Sequence, residues 1–415
     1  MEKEFKIWRW RIFAATWLTY AGLYFARKPF SIVKANLGDA HAWDTEALGA
    51  LGAFYLIAYT IGQFIAGAAG QKWGPRLVLL SGIALSIAAN AACGITNSYA
   101  LFAVFVTLNG LGQSTGWSNC VGTMGQWFRK DERGRVMGVW ATNFQVGGML
   151  ANGLAAFALG AWGFEYSFFA GSLALLVVWV FVYFNHRNKP SDVGLEDIDE
   201  EVPEIDENGD EVAEVAWPRA VVLNIAIVGV FYFFVKFIRY AIWSWAPFLL
   251  QKNYGLDGDD AGYISTVFDA AGILGVIACG WLSDRVFKSR RALTSFVFIL
   301  GMVVSCVLLY TVGSSSVWLF AVCMGMIGFT LYGPDALMTG AGAIDVGAAK
   351  RATVAAGVIN GMGSVGAVVQ ELVLGRMLKT ESVEYVFGTL LVSALAALAC
   401  LAYLLWRGAR GKTSV

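Results

Sequence analysis

Runs of about twenty predominantly apolar residues recur along the whole chain, each long enough to cross a hydrocarbon layer of ~30 Å as an α-helix. They fall at 10–33, 47–69, 77–95, 99–124, 134–160, 166–184, 220–250, 261–282, 293–312, 317–343, 353–378 and 385–406. Such a pattern excludes both a soluble domain and a soluble domain on a single anchor. Composition agrees, because hydrophobic residues make up 57% of the 415 and charged residues only 14%. That balance fits a chain buried in lipid. The expected fold class is an all-α membrane protein of twelve transmembrane helices.

Lys and Arg mark the cytoplasmic connections of such a protein. Here they cluster at alternate connections. Lys3, Lys6, Arg9 and Arg11 come first, followed by Lys72 and Arg76, then Arg129, Lys130, Arg133 and Arg135. In the second part of the chain come Arg285, Lys288, Arg290 and Arg291, then Lys350 and Arg351, and finally Arg407, Arg410 and Lys412. The intervening connections carry Asp39, Asp44, Glu46, Asp257, Asp259 and Asp260. Both termini are therefore expected on the cytoplasmic side. Between the sixth and seventh runs, Glu196 to Glu214 is rich in carboxylates and poor in apolar residues, which predicts a flexible connection without a packed core. The expected organisation is a six-helix bundle at 1–186, an acidic cytoplasmic linker at 187–217 and a second six-helix bundle at 218–415.

The 30 basic and 30 acidic residues cancel, and no basic stripe suits nucleic acid. Six cysteines lie singly inside apolar runs without the paired spacing of a metal site, so they read as small core residues. His41 and His186 are too isolated to form a ligand cluster. No nucleophile, base and orienting group converge at recognisable spacing, so enzymatic activity has no support and no cofactor or metal is expected.

Four cations resist this account. Arg27, Lys28, Lys236 and Arg239 fall inside or at the ends of apolar runs, where each would cost ~2.5–3.5 kcal/mol at a helix centre. Lys28 and Lys34 are near enough to the end of the first run to snorkel, although Lys28 fits a pocket equally well. Arg27 and Arg239 lie in the first run of each half. On a helix, Tyr20, Tyr24 and Arg27 share one face at i, i+4 and i+7. Tyr232, Lys236, Arg239 and Trp243 repeat the device. Two such stripes facing each other would line a cationic pocket with aromatic walls, suited to a compact anion such as a phosphate monoester. Asp269, Asp335 and Glu371 are the candidate acids for partial charge balance. Trp117, Asn143, Tyr332 and Asn360 are polar or aromatic positions of other central helices that fit a cavity lining.

The segment Gly67 to Arg76 after the second run is echoed by Gly280 to Arg291 after the eighth, and this parallel duplication resembles the major facilitator superfamily. Gly70 stands where that pattern usually has an Asp. Tyr24, Arg27, Lys28, Pro29, Ser31 and Lys34 resemble the first helix of the organophosphate:phosphate antiporter family, especially its sugar-phosphate exchanger branch. Asn109, Gly110, Gln113, Gly116 and Trp117 continue the likeness, as do Trp127, Phe128, Glu132, Arg133, Gly134, Met137, Gly138 and Trp140. In the second half it extends through Ser265, Phe268, Asp269, Gly272, Gly333, Pro334, Asn360, Gly361, Gly363, Ser364 and Gly366.

This resemblance implies a substrate site at Arg27, Arg239, Lys236, Tyr20, Tyr24 and Asp269, with Arg27 and Arg239 matching the phosphate-binding pair of the glycerol-3-phosphate transporter branch. Lys28 joins it as a position that fits a pocket as well as it fits snorkelling. Phe144 stands where that branch carries a cavity histidine. The implied activity is exchange of a sugar phosphate or glycerol phosphate for inorganic phosphate by a monomer in the bacterial cytoplasmic (inner) membrane. Two other readings stay open: a membrane sensor of external sugar phosphate on the same scaffold, and a proton-coupled organic-anion transporter.

Overall fold

In the computed structural model, residues 2–129, 136–137, 139–198, 219–287, 290–339, 352–380 and 382–410 are described. Lys130, Arg133, Arg135, Lys288, Lys350, Arg351 and Lys412 of the basic clusters lie outside them, as do residues 199–217 of the expected linker. The first crossing is made by α1 (Glu2–Leu23) and α2 (Pro29–His41), joined through a 3-10 turn at Tyr24–Ala26. The second and third are α3 (Thr45–Trp73) and α4 (Pro75–Cys93). The fourth is divided into α5 (Tyr99–Ser114) and α6 (Gly116–Trp127), and the fifth and sixth are α7 (Asn143–Trp162) and α8 (Phe164–Asn185). The second half comprises α9 (Arg219–Tyr254), α10 (Gly258–Arg285), α11 (Arg291–Val312), α12 (Val317–Thr339), α13 (Ala352–Thr380) and α14 (Val383–Ala409). Ten of these helices are individually long and apolar enough to cross a membrane. The divided first and fourth crossings complete the twelve.

The division of the first crossing has a local cause. Pro29 has no N–H to donate and its ring crowds the carbonyl four residues earlier, Phe25 O. That carbonyl packs against α8 at Gly171, where a Cβ would come within 2.1 Å of it. The carbonyls around the break find side-chain donors on α5: Asn109 Nδ2 donates to Ala26 O at 2.7 Å and Gln113 Nε2 to Leu23 O at 2.8 Å. A straight helix over 10–33, expected from hydropathy, is thus replaced by a kinked one that starts at Glu2 and runs on to His41. The fifth crossing likewise departs from its expected run at 134–160, because a turn at 141–142 precedes α7.

Helix ends follow ordinary signals. Asp44 caps α3 by accepting from Ala47 N at 2.8 Å. Gly74 adopts φ +85° between α3 and α4, a conformation that favours glycine, and Pro75 opens α4. His186, beyond the end of α8, is buried with Nε2 3.1 Å from Thr123 Oγ1. Burial and the neighbouring Arg76 and Arg187 push its pKa down to about 3, so its imidazole is neutral at physiological pH.

The two halves meet closely at the end of the bundle where Asp39, Asp44 and Glu46 emerge, called here the acidic end. Lys379 reaches Asp44 and Glu46 at 2.9 Å each, and Lys252 pairs with Asp39. These exposed pairs contribute little individually. Close helix contact does more: a Cβ on Gly49 of α3 would stand 2.4 Å from Glu371 O of α13, and one on Gly262 of α10 would stand 2.6 Å from Ala156 Cβ of α7.

Candidate functional site

The kink in the first crossing delivers Arg27 to the middle of the bundle. Its Nε and Nη2 both donate to Gln113 Oε1, at 3.2 and 3.0 Å. Its guanidinium carbon lies 4.8 Å from the Tyr24 ring centre and 5.0 Å from that of Tyr59. One amide oxygen therefore orients the fork with two of its five N–H donors and leaves three for a ligand. Among the described residues no carboxylate forms an ion pair with Arg27, whose side chain contacts Gln113 Oε1 and the rings of Tyr24 and Tyr59.

The facing stripe on α9 forms as its spacing predicts. Lys236 Nζ lies 5.0 Å from the Tyr232 ring centre and donates to Asn360 Oδ1 at 2.8 Å and Ser364 Oγ at 3.2 Å on α13. Close approach of α13 allows this, since a Cβ on Gly363 would stand 2.4 Å from the Tyr232 ring. Arg239 Nη1 donates to Asp335 Oδ2 at 2.7 Å, and its guanidinium carbon lies 4.7 Å from the Tyr332 ring centre. Tyr332 in turn donates to Asp269 Oδ1 at 2.5 Å. Asp269 Oδ2 lies 3.5 Å from Lys28 Nζ, which sits 3.9 Å over the ring of Trp243. A chain of polar contacts thus runs from Lys28 in one half through Asp269, Tyr332 and Arg239 to Asp335 in the other. Tyr24 and Tyr240 are each within electrostatic reach of both Arg27 and Arg239.

The charges in this cluster do not cancel. By formal charge and among the described residues, four cations, Arg27, Lys28, Lys236 and Arg239, face two carboxylates, Asp269 and Asp335, a surplus of two. A phosphate monoester dianion carries up to two negative charges, so one bound dianion would balance the site.

The other sequence-predicted positions divide. Tyr20 borders the cluster through Tyr24, with ring centres 6.2 Å apart, and meets Trp117, which is 40% exposed, edge to face at 5.3 Å. Asn143 is buried, and its Nδ2 is turned to Trp140 O at 2.6 Å at the start of α7. Phe144, beside it, presents its ring to Arg239 at 5.6 Å, so the position that carries a histidine in the resembling branch does face the pocket, with a π face and no titrating group. Lys28 does not snorkel, being buried and paired with Asp269. Lys34 does not snorkel either: it is 0% exposed and bonded to Glu371 Oε2 at 3.1 Å and Ser244 Oγ at 2.7 Å, both in the other half.

Gln113 is the residue that sequence reasoning undervalued. With Asn109 one turn earlier and Ser86 on α4, it forms a buried network in which Gln113 Nε2 donates to Ser86 Oγ at 2.9 Å and Ser86 donates to Asn109 Oδ1. The i, i+4 spacing of Asn109 and Gln113 inside an apolar run was the available signal. For a compact anion held by Arg27, Gln113→Leu is expected to weaken binding about tenfold, the loss of one hydrogen bond to a charged group. Competition against labelled phosphate on detergent-purified protein would measure it; unchanged affinity would mean that Tyr24 and Tyr59 alone orient Arg27.

Comparison with known proteins places this geometry in context. The Major Facilitator Superfamily profile matches residues 13–371. The glycerol-3-phosphate transporter of Bacillus subtilis is 31% identical over 386 residues, covering 88% of this chain and 85% of that one. A probable hexose phosphate transport protein of Chlamydia trachomatis is 27% identical, with 96% and 91% covered. The glucose-6-phosphate exchanger of Xenopus tropicalis is 28% identical, with 96% and 93% covered. Among solved structures, a bacterial homologue of the human lysosomal transporter Spinster superposes with a TM-score of 0.74 at 11% identity, covering 98% of this chain and 99% of that one. The D-xylose–proton symporter gives 0.68 at 14% identity, with 94% and 96% covered. These two show the fold alone.

Proposed function

Because the chain belongs to the Major Facilitator Superfamily, we propose that its central pocket carries an organophosphate, of the sugar phosphate or glycerol phosphate type, across the membrane in exchange for inorganic phosphate. The observation that carries this reading is the double positive surplus around Arg27, Lys28, Lys236 and Arg239, which a phosphate monoester or inorganic phosphate dianion would neutralise. The names of the relatives point the same way, since each is described as a carrier of a phosphorylated small molecule. Arg27 and Arg239 are the proposed phosphate clamp, Lys236 and Lys28 supply charge, and Tyr24, Tyr240 and Tyr332 form the walls. Transport proceeds by alternating access of the two halves about this site. On this reading the termini lie on the cytoplasmic face of a bacterial inner membrane, with the acidic end opposite, an orientation supported by the Lys and Arg clusters at alternate connections. A proton-coupled carrier would draw on Asp269 or Asp335, and both are engaged by cations.

The test is a panel of esters competing with labelled phosphate for exchange in phosphate-loaded proteoliposomes. Sugar and glycerol phosphates are expected to compete at concentrations where the matching sulfate esters and sugar acids, with one negative charge, do not. Equal competition by singly charged anions would overturn the charge-matching argument.

A further inference from the structure

Lys34 lies outside the central cluster, yet its surroundings have the form of an anion site. Its Nζ is held by Glu371 Oε2 at 3.1 Å and Ser244 Oγ at 2.7 Å, and it lies 3.8 Å over the ring of Trp245. Glu371 fits there because α3 has no side chain at Gly52, where a Cβ would stand 2.6 Å from the Glu371 carboxyl carbon. Lys34 also continues the stripe of the pocket: Arg27, Ser31 and Lys34 follow at i, i+4 and i+7 towards the acidic end.

A cavity of about 30 Å³ is lined by Arg27 and Ser31 and by the two polar partners of Lys34, Ser244 and Glu371. Among the described residues the buried Tyr55 hydroxyl has no hydrogen-bond partner. The space beside Arg27 and Glu371 is mostly apolar, with Arg27, Ser31, Tyr55, Asn90, Asn109, Ser244 and Glu371 as its polar members.

Ownership of these groups gives them a direction. Lys34 belongs to the first half, whereas Glu371, Ser244 and Trp245 belong to the second. When the halves part at the acidic end, all three withdraw from Lys34 together, and a cation on the path to Arg27 loses its countercharge.

On the reading that the pocket carries phosphate compounds, we propose that Lys34 is a first binding site for the phosphate group of substrate arriving from the acidic end, and that the Glu371 carboxylate occupies this site when that end is closed. The carboxylate oxygens of Glu371 stand in for phosphate oxygens. Substrate captured at Lys34 passes one helical turn at a time to Ser31 and Arg27, and the returning carboxylate displaces it inward as the halves close.

The proposal predicts a one-sided effect. The double variant K34Q/E371Q removes both charges while keeping the shape and hydrogen-bonding capacity of the pair, so no orphaned charge is left buried. Labelled inorganic phosphate is offered to phosphate-loaded membrane vesicles of each orientation. The KM from the acidic end should rise about tenfold, and the KM from the basic end should stay as in the wild type. A similar change on both faces, or none on either, would overturn the proposal. Absence of phosphate exchange in the wild type would instead overturn the transport reading on which it rests.

A second measurement on the unaltered protein covers a variant that fails to reach the membrane. An impermeant amine reagent applied from the acidic end should modify Lys34, located by peptide mass spectrometry, and inorganic phosphate should protect it where chloride does not. Failure to label Lys34, or labelling indifferent to phosphate, would count against the site.

Discussion

Arg27→Lys should lower phosphate-dependent exchange by about 100-fold or more while leaving the protein inserted at normal levels. Two of the Arg27 donors are spent on Gln113 Oε1, and that bond pair fixes the plane in which the others point. A lysine ammonium keeps the charge but has no fork, so it cannot hold Gln113 and present two parallel donors to phosphate together. Losing two charge-assisted hydrogen bonds at ~1.5–3 kcal/mol each accounts for a defect of that size. Arg239→Lys should be milder, because the charge of Lys at this site can still meet Asp335, whose contact with Arg239 is 2.7 Å. Initial rates of labelled phosphate exchange at matched protein density decide both. Wild-type rates in the Arg27 variant would remove the clamp from the mechanism.

The residues that make this site legible in the sequence are those whose cost is local. A cation in an apolar run demands explanation wherever its partner is, so Arg27, Lys236 and Arg239 stand out, and helical spacing alone groups them with Tyr24, Tyr232 and Trp243. The twelve crossings are legible for the same reason, since hydropathy is summed over neighbours in the chain. What fails is information carried by distant partners. Lys34 reads as a snorkelling residue because a position near a run's end permits it, whereas the structure pairs it with Glu371, 337 positions away. In the sequence Gln113 enters only within the family resemblance, whereas in the structure its amide both packs helices through Leu23 O and orients Arg27. The break in the first crossing is absent from the hydropathy reading, which expects one run at 10–33, and Asn109 and Gln113 reaching the carbonyls around it show how it is stabilised.

The charge surplus has its largest consequence for coupling. Closing the pocket around no ligand would confine Arg27, Lys28, Lys236 and Arg239 with only Asp269 and Asp335 to oppose them, in a space where water is excluded and like charges repel strongly. A buried charge without a partner costs several kcal/mol. Even ~3 kcal/mol added to the barrier slows the empty carrier's return by about 100-fold. On the proposed reading a phosphate or phosphate ester dianion would restore neutrality, so loaded carriers in either direction would cross without that penalty, and exchange would follow from charge balance. Proteoliposomes loaded with phosphate should therefore take up labelled organophosphate on the order of 100-fold faster than liposomes loaded with an impermeant buffer, with the membrane potential clamped in both. Asp335→Asn enlarges the surplus to three and should widen the gap between the two preparations. Equal initial rates for the wild-type protein would mean that the empty pocket closes freely, and would replace obligatory exchange with facilitated transport of a single substrate.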